Sequence, residues 1–144
     1  MRDQTMYSLF GGKRILLVED DPRLREAVRL LLYLEGCQVT EADNGRRACL
    51  LFTPGDFDLV IADYSMPEMN GDELAGTIKC LTPSQPILMM VAKNEQLLSR
   101  GSRVDLLIEK PFKMAELRQV VAALLASQQS GPSPSAQARP LARP

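Results

Sequence analysis

Short apolar runs alternate with helix-forming segments, and this alternation constrains the fold more than any other feature of the sequence. Residues 15–18, 59–62 and 87–91 are wholly apolar, as are strands of a sheet covered on both faces. Two more strands are predicted at residues 38–42, which alternate in polarity, and at 106–108. Because a helical pattern follows each strand, right-handed crossovers are expected. The sequence therefore predicts an α/β fold with a parallel sheet between two layers of helices.

Several predicted helices are marked by residues that favour a helix terminus. Asp21 and Pro22 suit the N-cap and the first position of the first helix, which ends at Gly36. Asn44 and Gly45 begin the second helix. The remaining helices are expected at about residues 72–81, 95–100 and 114–124.

Composition narrows the possible functions. The chain of 144 residues has 17 Lys and Arg against 18 Asp and Glu, so no overall positive charge attracts a nucleic acid or an anionic membrane. The chain has no histidine, which removes histidine general bases and histidine metal ligands. Three cysteines without a CxxC pair indicate reduced thiols. With no signal-peptide pattern and no membrane-length apolar run, the sequence predicts a cytoplasmic protein whose partners include neither nucleic acid nor membrane.

The two ends of the chain differ in composition from its middle. Residues 1–12 finish with two glycines and are expected to form a flexible leader. Residues 127–144 contain four Pro, four Ser and three Gln without an acidic residue, which predicts a disordered tail. One folded domain is therefore expected over residues 13–126.

Charged residues follow three of the predicted strands. Glu19, Asp20 and Asp21 follow the first strand, Asp63 follows the third, and Glu109 and Lys110 follow the fifth, all at the sheet edge where ligands of such folds bind. Asp21 is expected to serve only as an N-cap. Carboxylates gathered in this way hold either protons or a cation, and oxygen ligands without His or Cys select a hard ion such as Mg²⁺. A lysine beside such an ion suggests a phosphoryl group.

Three stretches of the sequence carry a family resemblance. Residues 15–22 read ILLVEDDP, residues 58–71 read DLVIADYSMPEMNG, and residues 110–112 read KPF. They resemble the opening, the phosphoacceptor segment and the lysine segment of response-regulator receiver domains, and the likeness covers about residues 13–126. Because no output domain follows, the chain is similar to the stand-alone, chemotaxis-regulator-like members. The resemblance implies a flavodoxin-like, doubly wound sheet of five parallel strands in the order 2-1-3-4-5, with five helices.

The resemblance also implies a role for each site residue. Asp63 would accept a phosphoryl group from the phosphohistidine of a sensor histidine kinase or a histidine phosphotransfer protein. Glu19, Asp20, Asp63 and the backbone carbonyl of Ser65 would bind Mg²⁺, or alternatively Mn²⁺. Lys110 would pair with the phosphoryl oxygens. The chain would be a signalling phosphoacceptor with an unknown downstream partner, and its catalysis would be limited to its own phosphorylation and dephosphorylation.

Three positions depart from the family pattern. Val91 stands where the family has a Thr or Ser hydroxyl, and Leu107 stands where it often has a switching aromatic ring. Lys113 stands at the N-cap position of the last helix, which lysine does not suit. The stretch between Val91 and Lys110 is also short, so a stunted fourth helix is expected. A cis peptide bond between Lys110 and Pro111 is expected from the resemblance and from the turn of the lysine over the site.

Alternative functions remain at this stage. One is a degenerate receiver that acts as a phosphate sink or as an interaction module that ignores phosphorylation. Another is an aspartyl phosphatase, but that chemistry needs a second acid two residues after the nucleophile, where Ser65 stands. A flavin-binding protein needs an uncharged phosphate loop after the first strand, where the acidic residues 19–21 would repel the phosphate.

Overall fold

A computed structural model describes residues 9–93 and 104–130. Within these ranges five strands and four helices follow one another along the chain. The elements are β1 (Arg14–Val18), α1 (Pro22–Leu34), β2 (Gln38–Ala42), α2 (Gly45–Leu51), β3 (Leu59–Asp63), α3 (Gly71–Leu81), β4 (Ile87–Val91), β5 (Leu106–Glu109) and α4 (Met114–Ser130). The helix predicted near residues 95–100 lies outside the described residues.

The strands form one sheet in the order β2-β1-β3-β4-β5, and every pairing is parallel, as predicted. β1, β3 and β4 lie inside the sheet, and β3 and β4 are buried along their whole length. β2 is an edge strand and buries fully only its last residue, Ala42, which explains its alternating polarity. The parallel arrangement brings the carboxyl ends of all five strands to the same edge.

The core consists of two layers because successive side chains of a strand point to opposite faces. Ile15 and Leu17 of β1 pack in the cluster that contains the buried residues of α1 and α4. Leu16 and Val18 pack in the cluster that contains the buried residues of α2 and α3. Helices on both faces of the sheet therefore explain why residues 15–18 of β1 are all apolar.

The folded region extends beyond the predicted domain limits of residues 13 and 126. Phe10 is buried, its carbonyl accepts a hydrogen bond from the Lys13 N–H at 3.0 Å, and the Arg118 guanidinium lies 5.1 Å from its ring centre. Arg118 also donates to Glu35 at 2.7 Å. At the other end, α4 continues to Ser130. Phe10 thus packs in the core although it belongs to the predicted leader, while residues 1–8 and 131–144 lie outside the described part of the chain.

Asp105 fixes the beginning of β5 beside β4. Its Oδ2 accepts hydrogen bonds from the Ile87 N–H at 2.8 Å and from Lys79 Nζ at 2.9 Å, and its own N–H donates to the Ile87 carbonyl at 2.9 Å. Lys79 Nζ also donates to the Gln85 carbonyl at 2.6 Å. The start of β5 is thus held by contacts with β4 and α3.

Candidate functional site

The turn after β1 carries the three acidic residues Glu19, Asp20 and Asp21. Glu19 is fully buried, and its Oε2 accepts a hydrogen bond from the Asp21 N–H at 3.0 Å. Asp21 is the N-cap of α1, as predicted, and its Oδ1 accepts from the Arg23 N–H at 3.0 Å. Asp20 is exposed to solvent. The Asp21 carboxylate therefore caps α1, whereas carboxylate oxygens of Glu19 and Asp20 lie close to Asp63.

Asp63 is the last residue of β3, and only 3% of it is exposed. Lys110 Nζ donates to its Oδ2 at 2.7 Å. The Ser65 N–H donates to its Oδ1 at 3.2 Å. Both carboxylate oxygens are thus held at the carboxyl edge of the sheet, where the sequence predicts them.

The backbone around Asp63 leaves no room for a side chain at Gly71. The Gly71 N–H donates to the Tyr64 carbonyl at 2.7 Å. A Cβ atom on Gly71 would lie 2.6 Å from the Asp63 carbonyl oxygen and 2.8 Å from the Tyr64 Cα. Glycine at this position allows the first turn of α3 to approach the end of β3 closely.

Lys110 lies directly after β5. Its N–H donates to the Val91 carbonyl at 2.7 Å, and its peptide bond with Pro111 is cis, as predicted. Burial of Lys110 acts to lower its pKa, but the hydrogen bond and charge of Asp63, aided by the charges of Glu19 and Asp20, raise the pKa above its ordinary value. The ammonium group therefore stays charged at neutral pH.

Carboxylate oxygens of Glu19, Asp20 and Asp63 lie within 4.8 Å of one another. Burial raises the pKa of Glu19 to about 8, and the charge of Asp63 adds to this effect, while the Asp21 N–H and Lys110 act against it. Glu19 Oε1 is buried and has no hydrogen-bond partner among the described residues. Clustered oxygen donors with an unpaired buried oxygen suit a hard divalent cation, which would supply the missing positive charge.

Glu109 does not join this cluster. It is exposed at the end of β5, and the cluster within the described ranges consists of Glu19, Asp20 and Asp63. In a strand, successive side chains point to opposite faces, so the last residue of β5 and Lys110 need not point the same way.

The sequence of residues 15–122 matches the family model of the response regulator receiver domain. The chain belongs to this family. Its receiver sequence is 36% identical over 114 residues to the response regulator protein FleR of Pseudomonas aeruginosa, a match that covers 76% of the chain and 24% of FleR. It is 37% identical over 115 residues to the regulatory protein VanRB of Enterococcus faecalis, covering 78% of the chain and 52% of VanRB. The chain thus matches about a quarter of FleR and half of VanRB.

Solved receiver structures share this fold. The response regulator TrrA of Thermotoga maritima, in complex with Mg²⁺ and BeF, matches with a TM-score of 0.71 and 35% identity over 78% of this chain and 98% of TrrA. The non-phosphorylated HemR receiver domain of Leptospira biflexa matches with a TM-score of 0.73 and 30% identity over 85% of this chain and 98% of HemR. The family and the fold predicted from the sequence are therefore confirmed. In the described ranges no helix combines the length and apolarity that a membrane span needs.

Val91 and Leu107, two of the three positions at which a departure from the receiver pattern is expected, both lie in strands. Val91 is the last residue of β4 and is 4% exposed. Leu107 lies in β5 opposite Met89 and packs against the core cluster of α2 and α3. Val91 therefore brings an apolar side chain to the edge of the sheet that holds Asp63 and Lys110.

Sequence reasoning missed two residues that shape this receiver. Arg25 donates from Nη1 to the Glu19 carbonyl at 2.7 Å, a contact between α1 and the acidic turn that no local pattern indicates. Glu116 compensates for the poor N-cap Lys113, because its Oε1 accepts from the Lys113 N–H at 2.7 Å. A glutamate three residues after an N-cap is a known capping signal, so Glu116 could have been found from the sequence.

Proposed function

We propose that Asp63 accepts a phosphoryl group from a phosphohistidine in a reaction that depends on Mg²⁺. The observation that carries this proposal is the 2.7 Å contact between Lys110 Nζ and Asp63 Oδ2 beside the carboxylates of Glu19 and Asp20. Asp63 lies at the end of a strand, contacts the Lys110 ammonium and has neighbouring carboxylates that could bind the same metal ion.

The chemistry follows from the charges of the site. A carboxylate is a weak nucleophile toward an anionic phosphoryl group, so positive charge must offset the repulsion. An oxygen of Asp63 forms the new bond to phosphorus as the bond from phosphorus to the histidine nitrogen breaks, and the leaving imidazole keeps the electron pair. Lys110 Nζ contacts Asp63 before the reaction, and it would give up part of this contact to bind a phosphoryl oxygen.

Glu19, Asp20, Asp63 and the Ser65 carbonyl would hold the Mg²⁺ ion. The chemistry that this ion would supply is neutralisation of the acidic cluster and Lewis-acid stabilisation of the phosphoryl group. Mn²⁺, which also favours oxygen ligands, would serve as a substitute. The unpaired buried oxygen of Glu19 and the all-oxygen donor set support this assignment.

The donor must supply the histidine, because the chain contains none. A sensor histidine kinase or a histidine phosphotransfer protein fits this requirement. The relatives FleR and VanRB are regulators by name, but the chain covers only part of each, so the downstream partner is left open in this proposal.

The conformational output is proposed to be atypical. Val91 cannot donate the hydrogen bond with which a hydroxyl at the end of β4 would contact a phosphoryl oxygen. Such a bond to a charged group contributes about 1.5–3 kcal/mol, which is comparable to a typical allosteric coupling of about 1–3 kcal/mol. Leu107 also lacks an aromatic ring. We therefore expect phosphorylation to change the loops around Asp63 more than the face formed by β5 and α4.

The same two residues support an alternative function. A receiver whose phosphorylation hardly changes its β5 and α4 face could act as a phosphate sink or as an interaction module that ignores phosphorylation. Partner affinity measured with and without phosphorylation separates this alternative from a switching receiver.

A small phosphodonor with Mg²⁺ tests the phosphoacceptor assignment. Intact-mass analysis should show one added phosphoryl group that is labile in base, and the Asp63→Asn variant should show none. Asp21→Asn is the matched control, because asparagine keeps the N-cap and leaves Asp63 untouched. Full labelling of Asp63→Asn would refute the assignment.

Amide chemical-shift mapping tests the atypical output. With Mg²⁺ and a phosphoryl mimic, large shifts are expected near Asp63 and small ones over residues 94–124. A Val91→Thr, Leu107→Tyr double variant should gain shifts over residues 94–124. Equally large shifts there in the unaltered protein would contradict the proposal.

A further inference from the structure

We propose that Arg25 is a positioning residue for the acidic metal-binding turn, an inference that rests on the proposed metal site. Arg25 Nη1 donates to the Glu19 carbonyl oxygen at 2.7 Å, the short distance of a charge-assisted hydrogen bond. That carbonyl belongs to the planar peptide group that joins Glu19 to Asp20. Holding this oxygen fixes the plane from which both metal-binding carboxylates project.

The contact closes a ring of hydrogen bonds around the turn. The Asp21 N–H donates to Glu19 Oε2 at 3.0 Å, the Arg25 N–H donates to the Asp21 carbonyl at 2.9 Å, and the Arg25 side chain returns to the Glu19 carbonyl. These bonds therefore link the side chain of Glu19, the backbone of Asp21, and both the backbone N–H and the guanidinium of Arg25. Loss of the guanidinium opens the ring at the peptide between the two metal ligands.

Arg25 is itself held in place by β2. Its Nε donates to Glu41 Oε1 at 3.3 Å, and its side chain is only 22% exposed. Ala42, the next residue of β2, accepts the Glu19 N–H at 3.0 Å. The backbone of Glu19 is thus anchored on its N–H side by β2 and on its carbonyl side by Arg25.

The turn needs such an anchor because a metal ion requires the carboxylates of Glu19 and Asp20 to be ionised close to Asp63. Oxygen atoms of Glu19, Asp20 and Asp63 lie within 4.8 Å before any cation is added. Without a restraint, the turn would move outward as these groups ionise, and regathering the ligands would offset part of the free energy of metal binding. Groups that orient metal ligands in this way typically change metal affinity by about 10–100-fold when they are removed.

Magnesium titration of the intact chain tests the proposal. Calorimetry should show that Arg25→Gln raises the Kd for Mg²⁺ at least about tenfold. Arg25→Lys should recover part of the affinity, because it keeps a charged donor. Arg29→Gln is the matched control, since Arg29 lies one helical turn away and contacts Glu41 at 3.9 Å; its Kd should stay within about twofold of the unaltered protein.

Two further measurements separate positioning from stability and from failure of the metal site itself. Urea unfolding in EDTA gives the folded fraction, so affinity is compared for folded protein only. In metal-free protein, Arg25→Gln should shift the amide resonances of Asp20 and Asp21, whereas Arg29→Gln should not.

The outcomes are distinguishable. An unchanged Kd in folded Arg25→Gln overturns the role of Arg25 while leaving the proposed function intact. If the unaltered chain binds no Mg²⁺, the proposed metal site fails, and unchanged amide resonances of Asp20 and Asp21 then overturn the positioning role as well. If Arg25→Gln does not fold, Arg25→Met decides: it keeps the apolar stem but removes the donor to the Glu19 carbonyl, and an unchanged Kd in the folded variant overturns the proposal.

Discussion

Replacement of Gly71 by alanine should destabilise the protein around Asp63, whereas the same replacement at Gly45 should not. The two glycines are closely matched, because each is the first residue of a helix and each follows an asparagine N-cap, Asn70 or Asn44. They differ in what an added methyl group would meet. At Gly45 the nearest atoms belong to the flexible side chain of Met69, at 2.9–3.0 Å, whereas at Gly71 they are mainly backbone atoms.

The magnitude follows from those contacts. A Cβ on Gly71 would lie 2.6 Å from the Asp63 carbonyl oxygen, so α3 must move away from the end of β3. Overpacking of this kind costs about 1–3 kcal/mol. Lengthening of the 2.7 Å hydrogen bond from the Gly71 N–H to the Tyr64 carbonyl costs up to about 0.5–1.5 kcal/mol more. The higher helix propensity of alanine returns about 1 kcal/mol, which leaves a net loss of roughly 2 kcal/mol.

Urea unfolding followed by circular dichroism measures this loss, and labelling by a small phosphodonor reports on Asp63. Gly71→Ala should unfold at lower urea and label more slowly. Gly45→Ala should unfold within about 1 kcal/mol of the unaltered protein, because Sδ and Cγ of Met69 can rotate away and its Cβ, at 3.0 Å, needs only a small shift. Equal stability of the two variants would refute the argument from backbone contact.

Three other changes have defined outcomes. Asp20→Asn should abolish Mg²⁺ binding in calorimetry, while Asp21→Ala should cost only about 0.5–2 kcal/mol of unfolding free energy through loss of the N-cap; equal loss of binding in both would show that the two roles are misassigned. Burial raises the pKa of Cys37 to about 11, so at mildly alkaline pH a thiol reagent should modify exposed Cys80 quickly and Cys37 only as the protein unfolds; similar rates would contradict this burial. Partial burial acts to raise the pKa of Asp58, but its arginine partner on β1 lowers this pKa overall. The stabilisation that the Asp58 carboxylate contributes is therefore present at neutral pH and is lost as pH falls through the lowered pKa. The urea midpoint of the unaltered protein should fall more on acidification than that of Asp58→Asn, and parallel curves would refute the linkage.

The local signals in the sequence were sufficient for the elements that form the sheet edge. Wholly apolar runs predicted β3 and β4, and the Asp-Pro pair predicted the start of α1 together with the N-cap role of Asp21. The meeting of Asp63 and Lys110 followed from topology, because parallel strands end at one edge. These predictions needed only periodicity, cap chemistry and crossover handedness.

The contacts between distant residues could not be predicted in this way. Phe10 stands in a glycine-rich leader whose composition indicates flexibility, yet the ring is buried and faces Arg118 of α4. The hydrogen bond from Arg25 to the Glu19 carbonyl likewise depends on the packing of α1 against β1. Glu109 lies at the carboxyl end of β5, as expected, but its exposed side chain is not part of the cluster of Glu19, Asp20 and Asp63, which its position in the sequence does not reveal.

The contacts of Asp105 at the start of β5 also determine where Lys110 lies at the end of this strand. Lys79 and the backbone of Ile87 hold Asp105, the residue before this strand, and the four strand residues paired with β4 then lead to Lys110. The position of Lys110 beside Asp63 therefore depends on contacts that Asp105 makes with α3 and β4 at the opposite edge of the sheet. A substitution at Asp105 should displace Lys110 although the two residues lie at opposite ends of β5.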